Sequence, residues 1–254
     1  MRTFFKLILI LGVLGYLVFA SVKFLNKEGH KTCKGMLVRV ESPDVDGAPD
    51  TGGDMPPLVD SSYVARVLGS HGVRTERVPM DSIDLLLIDS LLESDPYIDE
   101  VNCYLSAMAN LCVDVTVVRP VVRVFDESGS EYLVDSRGRV IPSAPYFLDL
   151  PVATGSMSRR WAGAHLPAIV RAIGEDSMWR EEVEQIHVVR DSMVTLIPRT
   201  GDLRIHLGTS SDIRGKLERL TQFYREALPA VGWNRYTDIN LEYDNQIICT
   251  NNQK

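Results

Sequence analysis

The sequence lacks the short motifs that mark redox, metal and nucleic-acid sites. Its four cysteines are Cys33, Cys103, Cys112 and Cys249, and none forms the C-x-x-C pair of a zinc knuckle or a thioredoxin-type site. It also has no run rich in lysine and arginine, and its formal net charge is -7. A polyanion-binding protein carries a basic face, so we expect no nucleic-acid partner.

Catalytic motifs are equally scarce. The histidines are His30, His71, His165, His187 and His206, and none belongs to an H-x-x-H or H-E-x-x-H motif. The stretch Gly208–Lys216 resembles a phosphate-binding loop, but six residues separate Gly208 from Gly215 where that loop has four. We interpret it as a strand-to-helix turn capped by Ser210 or Ser211. We therefore predict no catalytic residue, cofactor, metal site or small-molecule substrate.

One long apolar run is present, from Phe4 to Leu25, with Lys6 and Lys23 near its ends. As a helix it would reach roughly 33 Å, close to the bilayer core of about 30 Å. It predicts a single transmembrane helix after a cytoplasmic tail of residues 1–3, with the rest of the chain outside the cytoplasm. Because lysines lie on both sides of the helix, the positive-inside rule does not decide its orientation. The orientation is predicted from the short N-terminal tail instead. A cleaved signal peptide is the alternative, since Val18-Phe19-Ala20 is an acceptable cleavage site.

The next part of the chain predicts a β-α-α-β-β unit. Alternation predicts strands at Lys34–Glu41, Ile98–Leu105 and Leu111–Val118. Between the first two lie two amphipathic helices, one capped by Ser61 and one by Asp81 or Ser82. Cys103 shares a face with Val101 and Leu105, whereas Cys112 lies opposite Leu111 and Val113. These two thiols are therefore predicted to point apart, without a disulfide.

From Pro120 onward the pattern changes to short strands, so the fold class is α+β. Two helices interrupt the strands, at Ala162–Ile173 and Ser211–Leu228. The last two strands are predicted at Tyr236–Tyr243 and Gln246–Thr250, around a turn at Asp244-Asn245.

Three loose motifs, in this order, resemble the FtsQ/DivIB family of bacterial cell-division proteins. They are Arg119-Pro120-Val121-Val122-Arg123, then Val134-Asp135-Ser136-Arg137-Gly138, then Leu241-Glu242-Tyr243-Asp244. The resemblance implies a small POTRA domain (polypeptide-transport-associated) over residues 33–119. It also implies an FtsQ-type β domain over residues 120–250 and a tail at 251–254.

The resemblance also implies a function. Such a protein is a non-enzymatic scaffold of the divisome, single-pass in the inner membrane, with its C-terminal part periplasmic at the division septum. It docks FtsB-like and FtsL-like partners and so reaches FtsW/FtsI-like peptidoglycan synthases indirectly. A POTRA-containing secretion or outer-membrane assembly factor is the alternative, and a periplasmic enzyme is less favoured.

The resemblance places the partner site on the C-terminal edge strand. A terminal strand of a sheet leaves backbone groups free for an added strand, which agrees with this placement. Arg190 matches a family arginine that can pair with a partner carboxylate. Glu242 stands where some relatives carry a basic residue. The predicted partner-binding residues are Arg190, Tyr243, Asp244, Asn245, Gln246, Ile247, Ile248, Cys249 and Thr250.

Overall fold

A computed structural model describes residues 12–21, 23, 31–41, 58–144, 148–200, 202–232 and 235–252. The chain divides into two compact units, which are treated separately below. The N-terminal unit contains Val59–Val117 together with the preceding chain to Glu41, and the C-terminal unit continues from Val118.

Near the N-terminus, residues 12–21 form a helix. Within the described ranges, no helix is both long and apolar enough to cross a membrane. The predicted transmembrane helix from Phe4 to Leu25 extends on both sides into residues outside those ranges. It is therefore not confirmed and stays a prediction.

The N-terminal unit confirms the predicted β-α-α-β-β order. Its elements are β1 (Met36–Glu41), α1 (Ser61–Ser70), a 3-10 turn (Met80–Ser82), α2 (Leu85–Glu93), β2 (Ile98–Leu105) and β3 (Leu111–Val117). The sheet order is β1-β3-β2, with β1 parallel and β2 antiparallel to β3. On β3, buried and half-buried residues alternate, because one face packs under the two helices and the other does not.

Both predicted helix caps of this unit are wrong. The α1 cap is Asp60, whose carboxylate accepts the Tyr63 N–H at 2.7 Å. The α2 cap is Asp84, which accepts the Leu87 N–H at 3.0 Å. Aspartate caps well because its short carboxylate accepts a free N–H and carries negative charge at the positive helix end. The residues predicted to cap α2 lie in the 3-10 turn instead.

The prediction for Cys103 and Cys112 is confirmed. Cys103 lies opposite Val113 and Cys112 lies opposite Tyr104, so the two thiols occupy different faces of the sheet. All four cysteines are free.

The C-terminal unit is built on one large sheet. Its elements are β4 (Pro120–Asp126), β5 (Glu131–Asp135), β6 (Val140–Pro142), β7 (Val152–Gly155), α3 (Arg159–Glu175), α4 (Ser177–Glu182), β8 (Val183–Val189), β9 (Met193–Pro198), β10 (Arg204–Gly208), α5 (Ile213–Glu226), α6 (Leu228–Val231), β11 (Tyr236–Asn240) and β12 (Ile248–Asn251). The nine strands have the order β12-β11-β10-β9-β8-β7-β4-β5-β6. The pairs β4–β7, β7–β8 and β10–β11 are parallel and the others antiparallel.

One face of this sheet packs under α3 and α5 to form the core. Ala153, Ile186, Leu196, Ile205 and Ile239 lie in one cross-strand row of this face and are all buried. Trp179 of α4 is also buried, and its indole N–H donates to Thr221 Oγ1 at 2.8 Å. No described helix of this unit packs on the other face, and its side chains are mostly polar and half-buried.

Candidate partner-binding edge

Strand β12 lies at one end of the nine-stranded sheet, as the sequence predicted for the last strand. It pairs with β11 through Asn240 opposite Ile248 and Ile239 opposite Cys249. Cys249 packs against the core, whereas Ile248 is 46% exposed. Because no strand follows β12 in the described sheet, one row of its backbone N–H and C=O groups has no ladder partner.

The chain between β11 and β12 forms a loop that is longer than the predicted turn at Asp244-Asn245. Strand β11 stops at Asn240, and β12 begins only at Ile248. The side-chain oxygen of Asn240 accepts the Glu242 N–H at 2.8 Å, and Asn245 has a φ of 60°. Five of the predicted partner-binding residues therefore lie in this loop, namely Tyr243, Asp244, Asn245, Gln246 and Ile247. Tyr243 is 50% exposed there.

A groove of about 280 Å³ lies between this loop and helix α5. Phe223 and Ile247 give it apolar lining, and Gln222 and Glu226 give it a polar rim. Arg219, also in the lining, donates from Nη2 to the Leu241 carbonyl oxygen at 3.4 Å. Its buried Nε has no hydrogen-bond partner in the described part of the chain. Phe223 belongs to the helix predicted at Ser211–Leu228, but the sequence carries no signal for the groove.

Lys216 has a structural role in Gly208–Lys216, the stretch that resembles a phosphate-binding loop. It is buried, and its ammonium donates to the Thr209 carbonyl oxygen at 2.9 Å, inside the β10–α5 turn. Burial lowers the pKa of this ammonium. The strand-to-helix turn is confirmed, but its cap is Asp212 rather than a serine. The lysine therefore holds the turn and is not presented to a phosphate.

Two parts of the chain match known protein families. Residues 119–250 match the family described as FtsQ/DivIB, C-terminal related, and this match covers more than half of the 254 residues. The chain belongs to the FtsQ/DivIB family. Residues 56–116 match the POTRA-like domain. No curated protein matches the chain.

Membership in the FtsQ/DivIB family sets the general function. Together with the POTRA-like domain, it supports a division-associated scaffold at family level. Both families consist in general of non-enzymatic scaffolds. Partners of an FtsQ/DivIB protein are division proteins in general.

Arg190, the remaining predicted partner-binding residue, lies away from β12. It is exposed in the β8–β9 turn with a φ of 52°, and its backbone N–H donates to Ser156 Oγ at 2.9 Å. The turn lies at the end of the sheet where β12 begins, as the register across β8 to β12 shows. Three strand spacings separate β9 from β12, about 14 Å. A partner that contacts both must extend across this end of the sheet.

A polar network on the uncovered face of the sheet has the arrangement of a catalytic relay. His206 lies between Thr195 Oγ1, 3.1 Å from its Nδ1, and Asp238 Oδ1, 2.9 Å from its Nε2. The bond from His206 is the main cause that lowers the pKa of the Asp238 carboxyl. Thr195 lies in mid-strand, between β8 and β10, where backbone N–H groups serve the sheet ladder rather than an oxyanion hole. We interpret the network as cross-strand structural bonding.

Metal binding was not expected from the sequence. Among the residues that the structure describes, no group of three histidine, cysteine or acidic side chains is arranged to hold a metal ion.

Proposed function

We propose that this chain is a membrane-anchored divisome scaffold that binds an FtsB-like partner by adding a partner strand to β12. The observation that carries the proposal is the position of β12 at the sheet edge. An extended peptide can pair there with the free backbone groups, which supply affinity, while side-chain pockets supply specificity.

Side chains beside the edge support this mode of binding. Ile248 and Tyr243 are both about half exposed, at 46% and 50%, and lie at the start of β12 and in the preceding loop. Aromatic and aliphatic anchors contribute most of the binding energy in protein interfaces. The groove between the loop and α5 can accept an apolar side chain from the partner, since Phe223 and Ile247 line it. Asn245 and Gln246 also line the groove, and Cys249 and Thr250 belong to β12 itself.

Arg190 gives the proposed site a second contact point. A partner that turns from β12 across the end of the sheet can bring a carboxylate to this exposed guanidinium. Pairs of this kind steer association and add specificity more than affinity.

Anchoring and location complete the proposal. The apolar run Phe4–Leu25 holds the chain in the inner membrane with both units in the periplasm, at the division septum. Anchoring raises the effective concentration of the edge near partners in the same membrane. Through an FtsB-like and FtsL-like pair the scaffold then connects to FtsW/FtsI-like peptidoglycan synthases.

Binding of the FtsB-like partner to purified variants tests the edge. We expect Ile248→Asp and Tyr243→Glu each to weaken binding at least tenfold, because each places a charge in an apolar anchor contact. Both side chains are half exposed, so the variants should fold. Phe125→Asp is the matched control, since Phe125 is 40% exposed on β4 of the same sheet, far from β12.

The control decides how the result is interpreted. Loss of binding only in the two edge variants supports the proposal, and crosslinking from Ile247 to the partner would locate the contact. Unchanged binding by Ile248→Asp and Tyr243→Glu, with unfolding midpoints equal to those of the unaltered chain, would rule out the edge-strand site.

A further inference from the structure

The exposed large apolar residues of the N-terminal unit gather at one of its ends. Between Lys31 and Val117, those in the described ranges are Leu37, Leu86, Leu87, Tyr104 and Met108. Leu86 is 81% exposed and Met108 is 75% exposed. Large apolar side chains clustered in the open on a soluble unit mark an interaction surface.

Hydrogen bonds place this end where the chain arrives from its N-terminal segment. The Lys34 N–H donates to the Ala109 carbonyl oxygen at 2.7 Å, so the arriving chain lies beside the Ser106–Asn110 turn that carries Met108. The sheet register puts Leu37, Cys112 and Tyr104 in one row next to that turn. We call this the linker end of the unit.

Helix α2 brings its exposed leucines to the same end. The Cys103 N–H donates to Asp89 Oδ1 at 3.1 Å, which fixes α2 alongside β2. Helix α2 ends at Glu93, and β2 begins a few residues later at Ile98 and runs back toward the Ser106–Asn110 turn. The start of α2, with Leu86 and Leu87, therefore lies at the linker end.

Within the described ranges, the opposite, distal end of the unit is acidic and carries no large exposed apolar residue. The Tyr63 hydroxyl donates to Asp95 Oδ2 at 2.7 Å, which places the start of α1 there as well. The described carboxylates at this end are Glu41, Asp60, Glu93, Asp95 and Asp99, and Arg66 lies beside them, over the Tyr63 ring. The linker end is close to electrical balance, with Lys31, Lys34, Arg74 and Arg77 near Glu76, Asp81 and Asp84.

Chain length keeps the linker end close to the proposed anchor. Even fully extended, the eight steps from Leu25 to Cys33 span at most about 28 Å. Cys33 itself is buried in the unit, and its N–H donates to the Val78 carbonyl oxygen at 2.8 Å. Lys23 and Lys27 lie in or just before this connection and favour an anionic lipid surface.

We propose that the linker end docks on the lipid surface that holds the chain's own N-terminal helix, with Leu86 and Met108 entering the headgroup region. This inference rests on the membrane anchoring proposed above. Apolar side chains at an interface gain free energy by leaving water, and nearby lysines gain from anionic lipid. The acidic distal end is repelled from the same lipid, so the unit stands on one defined end.

Depth-dependent quenching in vesicles tests the proposal with the full chain. An environment-sensitive nitrobenzoxadiazole group is attached to Met108→Cys, Leu86→Cys or the control Ser94→Cys, which is exposed at the distal end. Cys112→Ser and Cys249→Ser remove the more accessible native thiols, while Cys33 and Cys103 are buried. Each protein is reconstituted with phosphatidylglycerol and with brominated phosphatidylcholine as quencher, and flotation of the vesicles reports anchoring separately.

Labels at Met108 and Leu86 should lose roughly half of their fluorescence in brominated vesicles, and the label at Ser94 should keep it. Flotation without quenching at Met108 and Leu86 would overturn lipid docking and leave a protein as the occupant of this surface. Equal quenching at all three positions would overturn the end-on arrangement. If the chain does not float with the vesicles, the proposed anchor is wrong and the docking inference is wrong too. Partner binding at β12 is measured independently of this result.

Discussion

At the scale of single residues, buried polar groups in the C-terminal unit serve structure. Lys216 is buried at the β10–α5 turn and bonds a backbone carbonyl oxygen, and Trp179 directs its indole N–H to Thr221. Such partners stabilise the fold, because an unpaired buried polar atom costs about 1–3 kcal/mol. These residues therefore maintain the turn and the helix packing that border the loop before β12.

Lys216 should give the stability of the protein a pH dependence. Burial lowers its pKa in the folded state, whereas the unfolded chain titrates near 10.5. Between these values the unfolded state binds more protons at this lysine, so its contribution to the free energy of unfolding should rise as pH approaches 10.5. Lys216→Met should remove this rise. Urea unfolding at neutral and alkaline pH measures it, and an identical slope in both proteins would contradict the assignment.

At the scale of elements, most helices and strands could be predicted, but β7, α4 and α6 in the C-terminal unit could not. Strand β7 has four residues and is held between two parallel neighbours, β4 and β8, that are distant in sequence. No local pattern encodes such pairing. Helix α4 has six residues, too few for a periodic apolar stripe. The order of the nine strands likewise depends on contacts between distant segments.

The end of β11 was also predicted only in part, because the sequence pattern there favours a longer strand than the structure has. The alternation Ile239, Leu241, Tyr243 favoured a strand to Tyr243, and Leu241 does bond to the β10 strand through its N–H. Asn240 and Asn245 then redirect the chain, through a side-chain bond and a positive φ. Asparagine is suited to both roles. The predicted turn at Asp244-Asn245 used this property at Asn245, whereas the prediction placed Asn240 inside a strand.

Gly155 should be the least tolerant position of β7. Its φ is 107°, and a Cβ there would overlap the Val188 carbonyl oxygen on β8. We expect Gly155→Ala to lower the free energy of unfolding by more than about 2 kcal/mol, since strain and overlap add. Gly129→Ala is the control, because Gly129 has a φ of 79° but open space around it, and it should lose about 1 kcal/mol.

Tryptophan fluorescence during urea unfolding measures both alanine variants, because Trp161 and Trp179 lie in the core of the C-terminal unit. Equal losses in the two variants would show that the Val188 carbonyl moves aside without cost.

At the scale of the whole molecule, two compact units with separate cores follow one apolar N-terminal run. Each unit has a helix-covered face and a sheet edge or end that is open to solvent. This construction suits a division-associated scaffold, because the open surfaces can bind partners while the cores stay intact.

The proposed location gives a prediction at this scale. A fluorescent fusion of the full chain should concentrate at midcell during constriction, and Ile248→Asp should leave the protein in the membrane while reducing recruitment of the FtsB-like partner. Fluorescence microscopy of both proteins, with the fusion to Phe125→Asp as control, checks this. An even distribution of the unaltered fusion around the cell would contradict the divisome assignment.

In the proposed complex, the length of β12 limits how long the partner stays bound. The strand has only four residues, and alternate residues direct their backbone groups outward, so an added strand forms about four hydrogen bonds. At about 1 kcal/mol each, these bonds alone give a dissociation constant near the millimolar range and a dwell time far below one second. In the proposed complex, side-chain anchors and membrane co-anchoring lengthen that time. A junction built this way can be released at the end of each constriction by weakening any one of those contributions.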